Sequence, residues 1–254
     1  MRYLSPLLCL CFFHGCDRSG AAPKTSQGNS PGAAWNVDSQ LVSRYGALPG
    51  PGKTKRSDGL ESRLEVCLRR SFDEPSSIST WVAVCRTVVD APHAQAGGID
   101  LLVFSDSLGT SRMVAETTGL ESGSFGEPGE VTLVGIGPHR RAFALSSSFS
   151  GMGSMIETAD WYLLDGAGLR GVLSSQLYVS NEGMSPCDED SLACRWEGRR
   201  LEIDSSSRKA GLFDLVVSDS ARDVGKFLDS KASVTYDVDS GRYVLPMPLI
   251  PEFW

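Results

Sequence analysis

From Leu60 onward the chain alternates between short apolar runs and clusters of Gly, Asp, Ser and Pro. Val82, Val84 and Val88 are separated by polar or small residues, the period of two that marks a strand with one buried face. The same pattern predicts strands over 63–69, 81–89, 99–105, 112–117, 130–134, 142–148, 159–164, 169–179, 199–204, 212–218, 233–239 and 242–245. Residues 220–231 read as a short helix, with Asp223 and Lys226 toward solvent. A unit of strand, Asp/Gly turn and strand recurs. It is clearest in Trp161–Leu169 and Val234–Val244, and looser in Leu101–Gly109. Glycine provides the positive φ that such hairpin turns require. Repeated hairpins predict an all-β, antiparallel, propeller-like domain over residues 60–254, with a β-sandwich as the alternative.

The N-terminal part reads differently. Tyr3–Phe13 is apolar apart from Ser5 and an interrupting Pro6, and Arg2 precedes it. That run is too short to span a bilayer but suits the core of a signal peptide. Residues 1–16 are therefore expected to be a lipoprotein signal peptide, with Gly15-Cys16 as the end of a lipobox and Cys16 as the lipidated residue. Ordinary cleavage in the Ser19–Ala22 region is the alternative. Residues 17–59, rich in Gly, Pro, Ser and Ala, read as a flexible tether. Within them Gln40–Tyr45 forms an apolar island able to dock on the domain. The expected location is the periplasmic face of a bacterial membrane, through a lipid anchor, or else soluble periplasmic or secreted.

Charge and cysteine content sharpen this picture. The chain carries a net charge of -7, which becomes −8 once Arg2 leaves with the leader. An acidic chain with no basic cluster is unsuited to nucleic acid and suited to a basic partner. Of the seven cysteines, Cys9 and Cys11 leave with the leader and Cys16 takes the lipid. Proximity then favours Cys67–Cys85 and Cys187–Cys194 as disulfides in an oxidising compartment. The chain has no Cys-x-x-Cys and little histidine, which argues against zinc.

Two enzyme-like motifs lack their structural context. Ala47–Thr54 fits a relaxed phosphate loop and Gly28–Gly32 a nucleophile elbow, but both lie in the tether, without the strand before and helix after that their chemistry needs. His93 and His139 read as isolated loop residues, which disfavours Ser-His-Asp chemistry. Asp188-Glu189-Asp190 lies inside the Cys187–Cys194 loop and reads as a solvated acidic turn. Asp237 and Asp239, with Gly241, are weak calcium candidates without the full ligand loop. Ser150, Gly151, Met152, Gly153, Ser154 and Met155 form a small-residue loop with two exposed methionines, a composition that conforms readily to a partner. Trp161 and Trp196 are expected in the core.

A resemblance rests on Ala142–Leu145, Ser150–Gly153, Trp161–Gly166, Asn181–Gly183, Cys187, Cys194, Trp196–Gly198 and Gly211–Val216. Over residues 140–245 the chain resembles proteobacterial exported β-proteins. These are similar to periplasmic lipoproteins that act as immunity proteins against glycan-cleaving toxins. The resemblance implies a propeller-like fold, in some cases with calcium, and inhibition of a muramidase-type enzyme.

The functional expectation is a non-enzymatic, lipid-anchored binding protein. The Ser150–Met155 loop and Asp188, Glu189 and Asp190 would meet a basic glycan-cleaving enzyme. An envelope-maintenance or glycan-binding lipoprotein and a carboxylate-dependent hydrolase are the competing classes. Mass spectrometry of the mature N-terminus is expected to show diacylglyceryl-modified Cys16. An unmodified start near Ala22 would exclude the anchor.

Overall fold

The computed structural model describes residues 36–46, the backbone of 53–55, and residues 61–107, 109–166, 168–183, 187 and 194–250. The described residues are mostly antiparallel β-sheet, with one helix among them, α1 (Val37–Tyr45). Cys16 and most of the stretch expected as a tether lie outside the described residues.

The strands follow one another as meanders. The first sheet has the order β1 (Lys53–Lys55), β2 (Glu61–Glu74), β3 (Ser77–Val88), β4 (Gly97–Ser107) and β5 (Thr110–Ser122). The second runs β6 (Glu130–Gly137), β7 (Arg140–Gly151), β8 (Ser154–Asp165), β9 (Gly168–Ser180), β10 (Trp196–Lys209), β11 (Leu212–Asp223) and β12 (Lys226–Val234). A small hairpin, β13 (Tyr236–Asp237) and β14 (Arg242–Tyr243), follows. A propeller is not shown. Among the described residues there are two open sheets of five and seven strands in which each strand pairs with its sequence neighbour, through tight turns in most cases and through longer connections over 89–96 and 181–195.

Several strands are apolar on both faces, and this organises the interior. On β4, Ile99, Leu101 and Val103 join Trp81, Ala83 and Cys85 of β3 and Phe143 and Leu145 of β7 in one cluster between the two sheets. The opposite face of the same strands, Val82, Val84, Leu102 and Phe104, is covered by Val37 and Leu41 of α1. A third cluster lies on the other face of the second sheet. It gathers Ala142, Trp161, Leu163, Leu215 and Val217, with Tyr236 and Tyr243 of the final hairpin. β3, β4, β7 and β8 thus contribute alternate residues to different clusters, as a pleated backbone allows.

Two parts of the predicted pattern are corrected. Residues 220–231 are not a helix: they are the end of β11, a turn at Val224-Gly225, and most of β12. Val224 and Gly225 both have positive φ, 46° and 75°, the requirement of a two-residue hairpin turn. Within the stretch read as a flexible tether, the Gln40–Tyr45 island is helical. Asn36 caps the helix by accepting from the Ser39 amide, at 2.8 Å. Leu41 is buried, and Tyr45 donates to buried Asp100 at 2.9 Å. β1 pairs with β2, so Lys53 and Thr54 sit in a strand and not at the helix start a phosphate loop needs.

Cys67 and Cys85 are within disulfide distance, with Cα atoms 5.7 Å apart, as are Cys187 and Cys194 at 5.0 Å. Cys67 sits where β2 bulges against β3, between Val66 and Leu68.

Buried charge fixes the segment after β14. Glu197 of β10, 1% exposed, accepts from the amides of Leu249 and Ile250 at 2.8 and 2.9 Å. Two residues along, Arg199 binds Asp219 through two hydrogen bonds of 2.7 and 3.0 Å and also donates to the carbonyl of Pro246. Such pairs are tolerated inside a protein only when their hydrogen bonds are complete, and removing one partner is costly.

Tyr45 gives a test of the helix docking. Burial, followed by the Asp100 carboxylate, pushes its phenol well above the usual tyrosine range. The folded protein therefore holds this proton at a pH where the unfolded chain releases it. The stabilisation is complete below the ordinary pKa of 10.0 and is lost as pH rises beyond it. Tyr45→Phe removes the donor to Asp100 and should cost about 1–3 kcal/mol at pH 7. It should also flatten part of the alkaline loss. Urea midpoints between pH 7 and 11 check both; an unchanged slope above pH 10 would contradict it.

Candidate interaction surface at one end of the sheets

The β7–β8 hairpin, the β9–β10 connection, the β11–β12 turn and the connections around residues 89–96 and 123–129 all lie at the same end of the sheets. Ser150–Met155 is a tight hairpin tip and not an open loop. Gly151 pairs with Ser154, leaving Met152 and Gly153 as the two turn residues, with φ of 53° and 81°. That turn holds the Met152 side chain outward, 98% exposed. Behind it a cross-strand hydrogen bond of 2.8 Å joins Ser147 and Thr158.

The β9–β10 connection is anchored to this tip. Its neck is closed by Asn181, whose amide donates to the Arg195 carbonyl and whose Oδ1 accepts from the Arg195 amide at 2.8 Å. The Gly183 amide then donates to the Gly153 carbonyl at 2.9 Å. Only glycine fits there, because a Cβ on residue 183 would stand 2.9 Å from the Gly153 backbone. Arg195 also pairs with Asp223 at the end of β11, at 2.6 Å. Asp188, Glu189 and Asp190 lie outside the described residues. Their flanking Cys187 and Cys194 belong to this connection, which roots it beside the Met152 tip.

A third part was not legible in the sequence. His93 lies stacked between Phe125, with ring centroids 4.0 Å apart, and Phe149, at 5.2 Å. The amide of Phe125 donates to the His93 carbonyl, and that of Gly126 to Gln95, which holds the two connections together. Phe125 is 54% exposed, and Phe149 and Met155 are also exposed. Val224 and Phe227, the latter 73% exposed, mark the same end at the β11–β12 turn. His93 read as a lone loop histidine because its ring partners are distant in sequence.

The electrostatics here are acidic. Tyr178 donates to Glu182 at 3.4 Å. Burial first, with Glu182 and Glu157 adding to it, pushes its phenol up. Glu127 and Glu130 are exposed nearby.

Other predicted sites fare differently. His139 occupies the β6–β7 turn at the opposite end, with φ of 57°. Asp237 accepts from the Asp239 amide and the Ser240 hydroxyl at 3.0 and 2.8 Å, which holds its carboxyl below the usual range and engages both oxygens locally. Among the described residues no three His, Cys, Asp or Glu side chains gather as metal ligands. Trp161 is in the core as expected, whereas Trp196 is half-buried. No described helix is long and apolar enough to cross a membrane.

In comparisons with known proteins, no family model, no curated protein and no solved structure matches the chain.

Gly183→Ala tests the coupling of the neck to the tip. The Gly183 amide should exchange with solvent at least tenfold faster, while global stability falls by less than about 1.5 kcal/mol, the scale of one hydrogen bond. Hydrogen exchange and urea unfolding measure the two quantities. Unchanged protection at residue 183 would show that the tip does not hold the connection.

Proposed function

We propose that the chain is an exported, lipid-anchored, non-enzymatic binding protein that inhibits a basic glycan-cleaving enzyme of the muramidase type. The observation that carries this reading is the gathering of Phe125, Phe149, Met152 and Met155 with the root of the acidic 187–194 loop at one end of the sheets. Exposed apolar side chains on rigid turns, rimmed by carboxylates, have the composition of a binding patch with an apolar centre and a polar rim. The methionine at the tip adapts to the contour of a cleft. The acidic rim steers a basic enzyme toward it. The two-residue turn and the His93 stack hold the patch in shape before binding, which lowers the entropy cost of association.

A second reading has its own observation. The exposed Phe125–His93–Phe149 stack offers aromatic faces of the kind that pack on sugar rings, which favours a glycan-binding envelope protein.

Interferometry with the full mature protein against a panel of basic muramidases separates these. Asp188→Asn with Glu189→Gln and Asp190→Asn should slow association several-fold at low salt and matter little at high salt. Met152→Ala and Phe125→Ala should each speed dissociation about tenfold or more at any salt. Binding to peptidoglycan fragments with no muramidase bound would favour the glycan reading. Steady peptidoglycan turnover by the purified protein would replace both with a hydrolase.

A further inference from the structure

The opposite end of the sheets holds a cavity of about 330 Å³, open between the β2–β3 hairpin and the β6–β7 turn. Its volume falls within the range of small-molecule sites. The inner wall is apolar, made by Val103, Val114 and Leu164 together with Trp81. Trp81 is 3% exposed, and its indole nitrogen is buried without a hydrogen-bond acceptor. A buried indole N–H ordinarily finds an acceptor, because leaving it unpaired forfeits its hydration. Here that nitrogen is closed off from the cavity as well as from solvent, so the indole serves as part of the wall.

The charges at the mouth are unequal. Arg141 pairs with Glu74 at 2.9 Å and lies over the Phe72 ring, 3.8 Å from its centroid. Glu74 also accepts from the Ser79 hydroxyl at 3.2 Å. Arg140, next along β7 and also lining the cavity, has no carboxylate partner among the described residues. His139 adjoins it on the turn. The site therefore combines an unpaired arginine with an apolar wall that includes the Trp81 ring. One cation is already neutralised by Glu74, so the remaining charge suits a single anion.

We infer that this cavity binds a small amphipathic monocarboxylate. Its carboxylate is balanced by Arg140, and its alkyl or aryl body packs against Val103, Val114 and Leu164 beside the Trp81 ring. The guanidinium supplies charge and directional donors to the carboxylate, and the apolar wall selects against hydrated anions such as phosphate. This site lies away from the surface carrying Met152 and does not depend on the reading given to that surface.

The test uses the full mature protein labelled with ¹⁵N. Trp81→Phe identifies the Trp81 indole cross-peak by its disappearance. Octanoate and benzoate are then titrated beside octanol and benzyl alcohol, with inorganic phosphate as the control anion. The Trp81 cross-peak should shift saturably with the carboxylates, at affinities at least tenfold tighter than with the alcohols, and stay put with phosphate. Arg140→Gln, at the edge of a turn, should weaken carboxylate binding about tenfold and leave alcohol binding unchanged. Its unaltered circular dichroism would show the fold intact. An unmoved Trp81 cross-peak at millimolar concentrations of every probe would overturn the inference. Equal response to carboxylate and alcohol, or indifference to Arg140→Gln, would overturn it equally.

Discussion

Everything in this protein depends on strands that are apolar on both faces. β3 and β4 carry one set of side chains toward the second sheet and another toward α1. β7 and β8 do the same between the inter-sheet cluster and the cluster beneath the final hairpin. Trp81 and Phe143, their ring centroids 4.9 Å apart, join the two sheets directly. A one-residue slip in any of these strands would exchange its two sets of side chains and disturb two clusters at once. The register is therefore over-determined through the middle of the molecule, which leaves the turns at either end to differ in chemistry.

This explains which parts of the fold were legible. Short apolar runs located the central strands, but residues 80–85 of β3 and 97–104 of β4 are buried without interruption, so the single buried face expected from Val82, Val84 and Val88 is corrected to two. The runs located the strand ends poorly. Strands here extend until a two-residue turn stops them, and the first turn residue is an ordinary one: Met152, Ala210 or Val224. Nothing before the glycine marks those positions as the Asn-Gly and Asp-Gly pairs do. The sequence of β12 reads as a helix because it is an edge strand whose inward face, Leu228, Ser230, Ala232 and Val234, mixes polar and small residues with apolar ones and so shows its period of two weakly. α1 carried a readable signal, Asn36 before an apolar run and Gly46 after it, obscured by the small and polar residues around it.

The candidate surface was legible only in fragments. Composition singled out Met152 and the acidic segment near Cys187 as separate loops. It could not show that a hydrogen bond from Gly183 to Gly153 ties the start of the β9–β10 connection to the Met152 tip. Nor could it join His93 to Phe125 and Phe149, which meet because three connections leave the sheets at the same end. Long-range assembly of this kind is set by topology, and a single sequence carries topology only through its patterns of burial.

Glu197 has a consequence for how the chain reaches this state. Its carboxylate is buried, and the amides that satisfy it belong to Leu249 and Ile250. Before that late segment is in place, β10 lacks two of the donors that offset the burial of this anion, so residues distant in sequence help to close the second sheet over its core. The carboxylate thus acts as a clasp, tying a strand inside the sheet to a segment 52 and 53 residues further along the chain.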